Sequence, residues 1–220
     1  MKMGTTASVL NEVKSVPVWK SIDDNGLMRL VSSGEGEAFF IIVARYKNPM
    51  VNYLYRLLGD YETAVELAQE VFIRIFRSVQ RYDPGQKFST WIYKIATNLA
   101  IDEMRRRKRQ HDRAIPLDFF HDNLTIPSSA MSAAIGPAKG PDPEEQVLLS
   151  EMQQKLMEAV HALPDEQKHI FILKEIVQKS LEEISAITGV KVGTLKSRLF
   201  RARLFLRDRL SEYLRTGLTP

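Results

Sequence analysis

The chemistry on offer near the end of the chain is recognition. Lys196, Arg198, Arg201, Arg203, Arg207 and Arg209 alternate with Leu195, Leu199, Ala202, Leu206 and Leu210. Cationic side chains hold phosphates, and a guanidinium fork matches the guanine edge of a major groove. On a helical period the apolar residues form one stripe: with Leu195 at its centre, Leu199, Ala202 and Leu206 fall within about 40°. The opposite pole carries Ser197, Phe200, Arg201 and Leu204. Lys196 and Arg207 lie on one shoulder and Thr194 on the other. An outward Phe200 suits a thymine methyl. This face is expected to meet duplex DNA.

The preceding residues supply the support. Ser180 followed by Glu183 is a capping box. Leu181, Ile184 and Ile187 form a short apolar helix face, and Gly189 suits the left-handed position that ends a helix. A short helix, a glycine turn and a basic helix from about Val192 make a helix-turn-helix. A second basic run, Arg105–Arg109, lies far away in the sequence. Two clusters in a chain of net charge +4 point to an anionic polymer as partner.

Other classes find little support. No carboxylate pair, nucleophile–base set, phosphate-binding glycine loop or metal-ligand spacing is present, so no catalytic residue, metal or cofactor is expected. The chain contains no cysteine, which excludes disulfides and thiolate metal sites. The N-terminus lacks the apolar core of a signal peptide, and no stretch has the length of a membrane span. A soluble, cytoplasmic protein without membrane insertion is expected. His161 and His169 read as helix-surface residues.

Helical periodicity runs along the rest. Residues 1–24 read as a flexible arm, and Leu27–Val31 as a short helix. Glu37–Leu58 is a helical pattern in which Pro49 predicts a kink or break near Lys47 and Asn48. Tyr61–Gln80 carries a core stripe of Ala64, Ala68, Phe72, Ile75 and Val79, widened by Leu67, Val71 and Phe76. Its other face carries Glu66, Gln69, Glu70 and Ile73, where an apolar residue among carboxylates suggests a contact surface. Arg81–Ser89 is a loop with Tyr82, Lys87 and Phe88. A helix from Thr90 to about Gln110 turns Lys94, Asn98 and Arg105 away from its core side. Aromatic residues beside such a basic helix suit unstacked bases. His111–Pro143 holds five of the chain's ten prolines and reads as a linker. As a flexible coil it would span about 30 Å. Glu144–Ala162 is a helix expected to bury Val147, Leu148, Met152, Leu156 and Val160. Pro164 opens the next helix, through Ile170, Phe171, Leu173, Lys174 and Val177. With no strand alternation, the expected fold is all-α: two small helical domains, 25–110 and 144–215, joined by the flexible linker 111–143, the second containing the helix-turn-helix.

Two long blocks carry a family resemblance. Ala64-Val65-Glu66-Leu67-Ala68-Gln69-Glu70-Val71-Phe72, with Phe88-Ser89-Thr90-Trp91-Ile92-Tyr93-Lys94-Ile95-Ala96-Thr97-Asn98 and Asp102, resembles the second conserved region of bacterial sigma factors. Leu163-Pro164, Glu182-Glu183-Ile184-Ser185 and Val192 to Arg203 resemble their fourth region. With only these two regions, the chain is similar to the extracytoplasmic-function (ECF) sigma factors of the sigma-70 family. The resemblance implies a non-enzymatic factor that binds core RNA polymerase and directs it to promoter DNA. Glu66, Gln69, Glu70 and Ile73 would dock on the clamp coiled coil of the largest polymerase subunit. Tyr82, Lys87, Phe88, Lys94, Asn98, Arg105 and Arg106, with Arg107, would engage the minus-ten element during melting. Thr194, Lys196, Ser197, Phe200 and Arg201 would read the minus-thirty-five element. An anti-sigma factor is a further implied partner. Where the family usually has Ala-Glu-Asp-Leu, this chain has Ala64-Val65-Glu66-Leu67, which softens one polymerase contact. The competing expectation is a self-sufficient repressor or activator that dimerises on a palindrome through the helix-turn-helix alone.

Overall fold

In the computed structural model, which describes residues 19, 21–113, 152 and 154–216, helices begin where short polar side chains take up free amides. Asp23 accepts from the Gly26 amide and opens α1 (Asp24–Ser32). α2 (Glu37–Leu58) ends at Gly59, whose φ of 75° lies in the left-handed region. Asp60 then caps α3 (Tyr61–Arg77), accepting from the Glu62 and Thr63 amides. A cap of this kind stabilises by about 1 kcal/mol. A 3-10 turn, Val79–Arg81, and a loop lead to α4 (Phe88–Arg113). After α5 (residues 154–161) come α6 (Asp165–Phe171), a π turn (Ile172–Ile176), α7 (Leu181–Thr188) and α8 (Val192–Thr216). Among the described residues there is no strand, and the fold is all-α. The expected linker, with Val147 and Leu148 beyond it, lies outside the described residues.

The N-terminal helices share one core. α2, α3 and α4 pack on one another, and α1 lies across them. Leu27, Met28, Ile42, Leu54, Ile75 and Ile92 are fully buried. Tyr53 is buried as well, with its hydroxyl 2.7 Å from Thr97 Oγ1. Thr97 gives its own proton to the Tyr93 carbonyl at 2.6 Å. Tyr53 is therefore the donor, and the buried pair is satisfied. α2 continues through Pro49 without a break. The missing amide bond is outweighed by packing on both sides of the proline, Ala38, Ile41 and Ile42 before it and Met50, Tyr53, Leu54 and Leu57 after it.

The start of this core is earlier than composition suggests. Residues 21–24, assigned to a flexible arm, are docked: Arg45 reaches Asp24 at 2.6 Å and the Ile22 carbonyl at 2.8 Å, and Tyr46 donates to Asp24. Trp19 and Ile22 pack against the core.

In the C-terminal helices the stripe on α8 is buried as read, with Leu195, Leu199, Ala202 and Leu206 all inside. α6 lies along α8. The helix expected to continue through Val177 widens instead: the Val177 amide bonds to the Ile172 carbonyl, five residues back, at 3.0 Å. Pro164 is the cap residue before α6 rather than its first residue. The buried stripe of α5 is Met157 and Val160, continued by Leu163. It is rotated by one position from the expected one, which leaves Met152 and Leu156 exposed. Phe76, expected in the core, is exposed on α3, because Ala68, Val71, Phe72 and Ile75 already fill the inner face.

The two histidines are not surface residues. His169 is buried, its Nδ1 2.6 Å from the Asp165 carbonyl. His161 lies over the turn that ends α2, so close that a methyl on Gly59 would meet its ring carbon at 3.4 Å. Burial, with Lys168 nearby, lowers the His161 pKa to about 4. An unfolded histidine titrates near 6.5. Below that pH the unfolded chain binds a proton that the folded chain refuses, so the contribution is present above about 6.5 and is lost as pH falls toward 4. We predict that the melting temperature drops between pH 6.5 and pH 4, and that His161→Gln shrinks the drop relative to the parent chain in parallel melts. An identical pH slope in both proteins would refute it.

Candidate nucleic-acid interface

The helix-turn-helix is built as its residue types require. The Ser180 side chain accepts from the Glu183 amide at 3.1 Å, and Glu183 Oε2 accepts from the Ser180 amide at 2.9 Å. Gly189 closes α7 with φ 72°, a backbone that side chains rarely adopt. Thr188 Oγ1 donates to the Ile184 carbonyl and accepts from the Val190 amide, which fixes the turn into α8.

The outer face of α8 is sorted by ion pairs. Arg198 is held by Glu166 at 2.7 Å, Arg203 by Glu175 at 2.6 Å and Arg207 by Asp208 at 2.9 Å. These guanidiniums are matched by carboxylates of the protein itself. Thr194, Lys196, Ser197, Phe200 and Arg201 are all exposed. Phe200 is 63% exposed on a helix whose other face is core. Arg201 makes only a long bond, 3.4 Å, to the Ser197 carbonyl one turn back. The structure thus brings together the five residues expected on this face.

The loop before α4 is organised from a distance by Asn25. Its Nδ2 donates to the Pro84 and Gln86 carbonyls at 3.2 and 3.3 Å. Its Oδ1 accepts from the Phe88 amide at 3.1 Å and from the Tyr82 hydroxyl. The first amides of a helix have no partner within it, and here a side chain from α1 supplies one. Asn25 was invisible to pattern reading, because nothing local marks an asparagine that caps a helix sixty-odd positions away.

Phe88 is a correction. Expected to offer a face to an unstacked base, it is 1% exposed and sits in the core against Tyr46, Tyr82 and Trp91. It is the first residue of α4, and the helix entry turns its ring inward. Tyr82 is half-buried, its ring 5.0 Å from Trp91. Burial, with Asp24 and Asp23 nearby, pushes its pKa up to about 12, so the phenol stays protonated and donating. Beside it lies a cavity of about 270 Å³, lined by Met28, Arg29, Ser32, Ser33, Val79, Tyr82 and Pro84.

Along α4, Lys94, Asn98 and Arg105 are exposed as expected. The arginine run is divided. Arg106 forks onto the buried Glu103 at 2.7 and 2.8 Å yet remains largely exposed. Arg107 is committed to the fold: it bonds Glu103, Asp60 Oδ2 and Thr63 Oγ1 and so ties α4 to the start of α3. Hydrogen bonds from Arg106, then Arg107, hold the Glu103 carboxyl below its ordinary pKa.

A third face lies on α3. Glu66, Gln69 and Ile73 are exposed, and Glu70 is partly exposed, paired with Arg74 at 2.7 Å. Ile73 is 43% exposed and Phe76, one helical step along, 52%. Phe76 leans on Phe39 at 5.2 Å. Ile73 and Phe76 thus leave apolar surface exposed beside the carboxamide of Gln69 and the carboxylates of Glu66 and Glu70.

Comparison with known proteins bears on these faces. Residues 42–110 match the model for sigma-70 region 2, and residues 153–206 match that for sigma-70 region 4. The chain is 35% identical over 192 residues to the ECF RNA polymerase sigma factor SigW of Bacillus subtilis, covering 84% of this chain and 95% of that protein. It is 38% identical over 172 residues to the ECF RNA polymerase sigma factor SigE of Mycolicibacterium smegmatis, covering 78% of this chain and 61% of that protein. Its fold is similar to that of the Bartonella quintana sigma factor RpoE, solved in complex with the anti-sigma factor NepR. There the TM-score is 0.58 at 21% identity, with 79% of this chain and 96% of that one covered. CnrH, solved with the cytosolic domain of CnrY, gives 0.60 at 18% identity, covering 86% of this chain and 97% of that one. The chain belongs to the ECF sigma factors of the sigma-70 family, whose work is promoter-specific initiation of transcription with RNA polymerase.

The clasp on the loop generates a prediction. Asn25→Ala removes Oδ1, which accepts two bonds, and Nδ2, which donates two, leaving the Phe88 amide and the Pro84 carbonyl to water while Gln86 keeps the Tyr82 hydroxyl, and should cost about 1–3 kcal/mol in urea denaturation. Asn25→Asp keeps the acceptor but sets an anionic oxygen where Nδ2 met the Pro84 and Gln86 carbonyls, so it should not restore the parent's stability. An alanine variant as stable as the parent would show that the clasp contributes nothing.

Proposed function

We propose that the chain reads a promoter with two separate faces and docks on polymerase with a third. The carrying observation is the sorting of charge on α8: three arginines are neutralised by the fold's own carboxylates, while Lys196 and Arg201 stay available beside Thr194, Ser197 and Phe200. That set presents one fork, one point charge, two hydroxyls and one apolar edge, which suits a specific major-groove sequence. In this reading it engages the minus-thirty-five element.

The minus-ten strand lies along α4. Lys94, Asn98, Arg105 and Arg106 hold its backbone, with Tyr82 and Lys87 at the loop. Phe88 acts from inside by fixing where the loop leaves the core. The α3 strip of Glu66, Gln69, Glu70 and Ile73 docks on the clamp coiled coil of the largest polymerase subunit, and Phe76 widens it. Residues 25–110 and 144–215 act as two domains, and 111–143 spans the distance between their DNA elements. The factor performs no catalysis of its own, requires no cofactor, and works in the cytoplasm where polymerase and chromosome are. Among the described residues no helix is long and apolar enough to cross a membrane. An anti-sigma factor is the expected antagonist, in keeping with the complex in which the similar Bartonella quintana factor was solved.

Two substitutions separate the faces. Arg201→Ala should weaken discrimination at the upstream element by roughly 5- to 150-fold, the range of a lost base contact, while core polymerase binding is unchanged. Glu70→Lys should weaken co-purification with core polymerase by roughly tenfold, about 1.4 kcal/mol. If Glu70→Lys binds core polymerase like the parent, the docking strip is misassigned. Tight, sequence-specific binding of duplex by the chain alone would favour a stand-alone repressor instead.

A further inference from the structure

The loop before α4 owes its shape and its position to different residues. Its shape is made locally. Asp83 Oδ1 accepts from the Gly85 amide at 2.8 Å, and the Asp83 carbonyl accepts from the Gln86 amide at 3.0 Å. Its position is set from outside, by Asn25 on α1. Nδ2 holds the carbonyls of Pro84 and Gln86, and Oδ1 holds the Phe88 amide. The Tyr82 hydroxyl lies between Asn25 Oδ1 and the Gln86 carbonyl and shares its one proton between them. Lys87 sits between Gln86 and Phe88, so a single side chain grips the backbone on both sides of it. The two loop residues assigned to the minus-ten strand, Tyr82 and Lys87, are thus placed by the same group.

Asn25 has nothing left to offer a strand. A carboxamide donates two hydrogen bonds and its oxygen accepts two. All four positions are occupied within the fold. Nor is Asn25 free to follow the loop. Asp24 beside it is held by Arg45 at 2.6 Å and by the Tyr46 hydroxyl. Leu27 and Met28, further along α1, are fully buried. The loop is registered to the core through a residue that is itself silent toward DNA.

We propose that Asn25 is a positioning residue for minus-ten recognition: it fixes the placement of Tyr82 and Lys87, and with it which base the loop accepts, without touching the strand. This rests on the minus-ten reading above. A hydrogen bond to a base edge forms only within a narrow window, about 2.7–3.2 Å between heavy atoms. Attraction to the phosphate backbone is carried by charge and tolerates displacement. A loop that keeps its own turn but loses its reference to α1 therefore still lies along the strand. What it loses is preference among bases, because base contacts specify and phosphate contacts do not.

The test uses the full chain with core polymerase and a promoter that the parent selects from a pool randomised in both elements. Single-base changes are made in each element, and each changed promoter competes with the selected one in the same reaction. The ratio of the two transcripts does not depend on how much factor is active, so a variant that is only less stable leaves it unmoved. Asn25→Ala should lower the preference at the minus-ten element by roughly three- to tenfold, the worth of one lost hydrogen bond. The preference at the minus-thirty-five element should stay at the parent's value. Asn25→Asp keeps Oδ1 but sets a second oxygen against the Pro84 and Gln86 carbonyls, and should lower the minus-ten preference as well. It carries the test if Asn25→Ala is unfolded in thermal melts. A minus-ten preference equal to the parent's in a folded Asn25 variant would overturn the positioning role, as would an equal loss at both elements. Tyr82→Ala and Lys87→Ala are run beside them. If these two leave the minus-ten preference intact, the assignment of the loop fails rather than the hold of Asn25 on it.

Discussion

Asn25 carries a constraint on which the N-terminal half of the fold depends. The loop from Tyr82 to Lys87 has carbonyls that no neighbouring turn satisfies, and α4 begins with an amide that lacks an intrahelical partner. One carboxamide meets both needs, donating to Pro84 and Gln86 and accepting from Phe88 and Tyr82. Because Asn25 belongs to α1, the loop position is coupled to how α1 seats. That seat is fixed in turn by Arg45 and Tyr46 on Asp24. The loop is thereby referenced to the core rather than left to its own turn residues. Burial of Phe88 serves the same end from below: its ring is an anchor, and the polar backbone above it is the part on offer.

Charge is sorted on the same principle in both halves. A run of arginines looks like one electrostatic patch, but its members differ according to which carboxylates lie within reach. On α4, Glu103 is buried and needs two guanidiniums to offset its desolvation. Arg107 is drawn inward by it, and by Asp60, and cannot also serve a phosphate. On α8, Glu166, Glu175 and Asp208 take Arg198, Arg203 and Arg207. What remains is a small set of cations at defined places. Long-range attraction to an anionic polymer still feels the whole positive field, while few of its cations are left without a carboxylate of the fold.

Legibility in the sequence followed the range of the interactions. The capping box at Ser180, the left-handed Gly189 and the buried stripe of α8 are local, set by residues three or four apart, and they stand as read. The outward set from Thr194 to Arg201 followed from the same phase. Tertiary contacts were not legible. Phe88 looked like a loop aromatic because nothing nearby shows that Tyr46 and Trp91 close over it. Pro49 looked like a break because its cost is local while the packing that outweighs it comes from other helices. His161 looked solvated because its cover is the turn at Gly59, about a hundred positions earlier. Phe76 failed in the other direction: the period placed it near the core stripe, but the inner face was already full.

The resemblance to a family supplied roles, and the structure sorts the residues that fill them by a physical criterion, whether a side chain's charge is already neutralised within the fold. By that criterion Lys87 occupies an unusual position. It is among the more exposed cations at the loop, yet its partner is not a neighbour on its own helix but the capping carboxylate of the distant helix-turn-helix. A group in an intrahelical pair would gain little by exchanging one partner for another. The carboxylate that caps the helix-turn-helix thus also joins it to the start of α4.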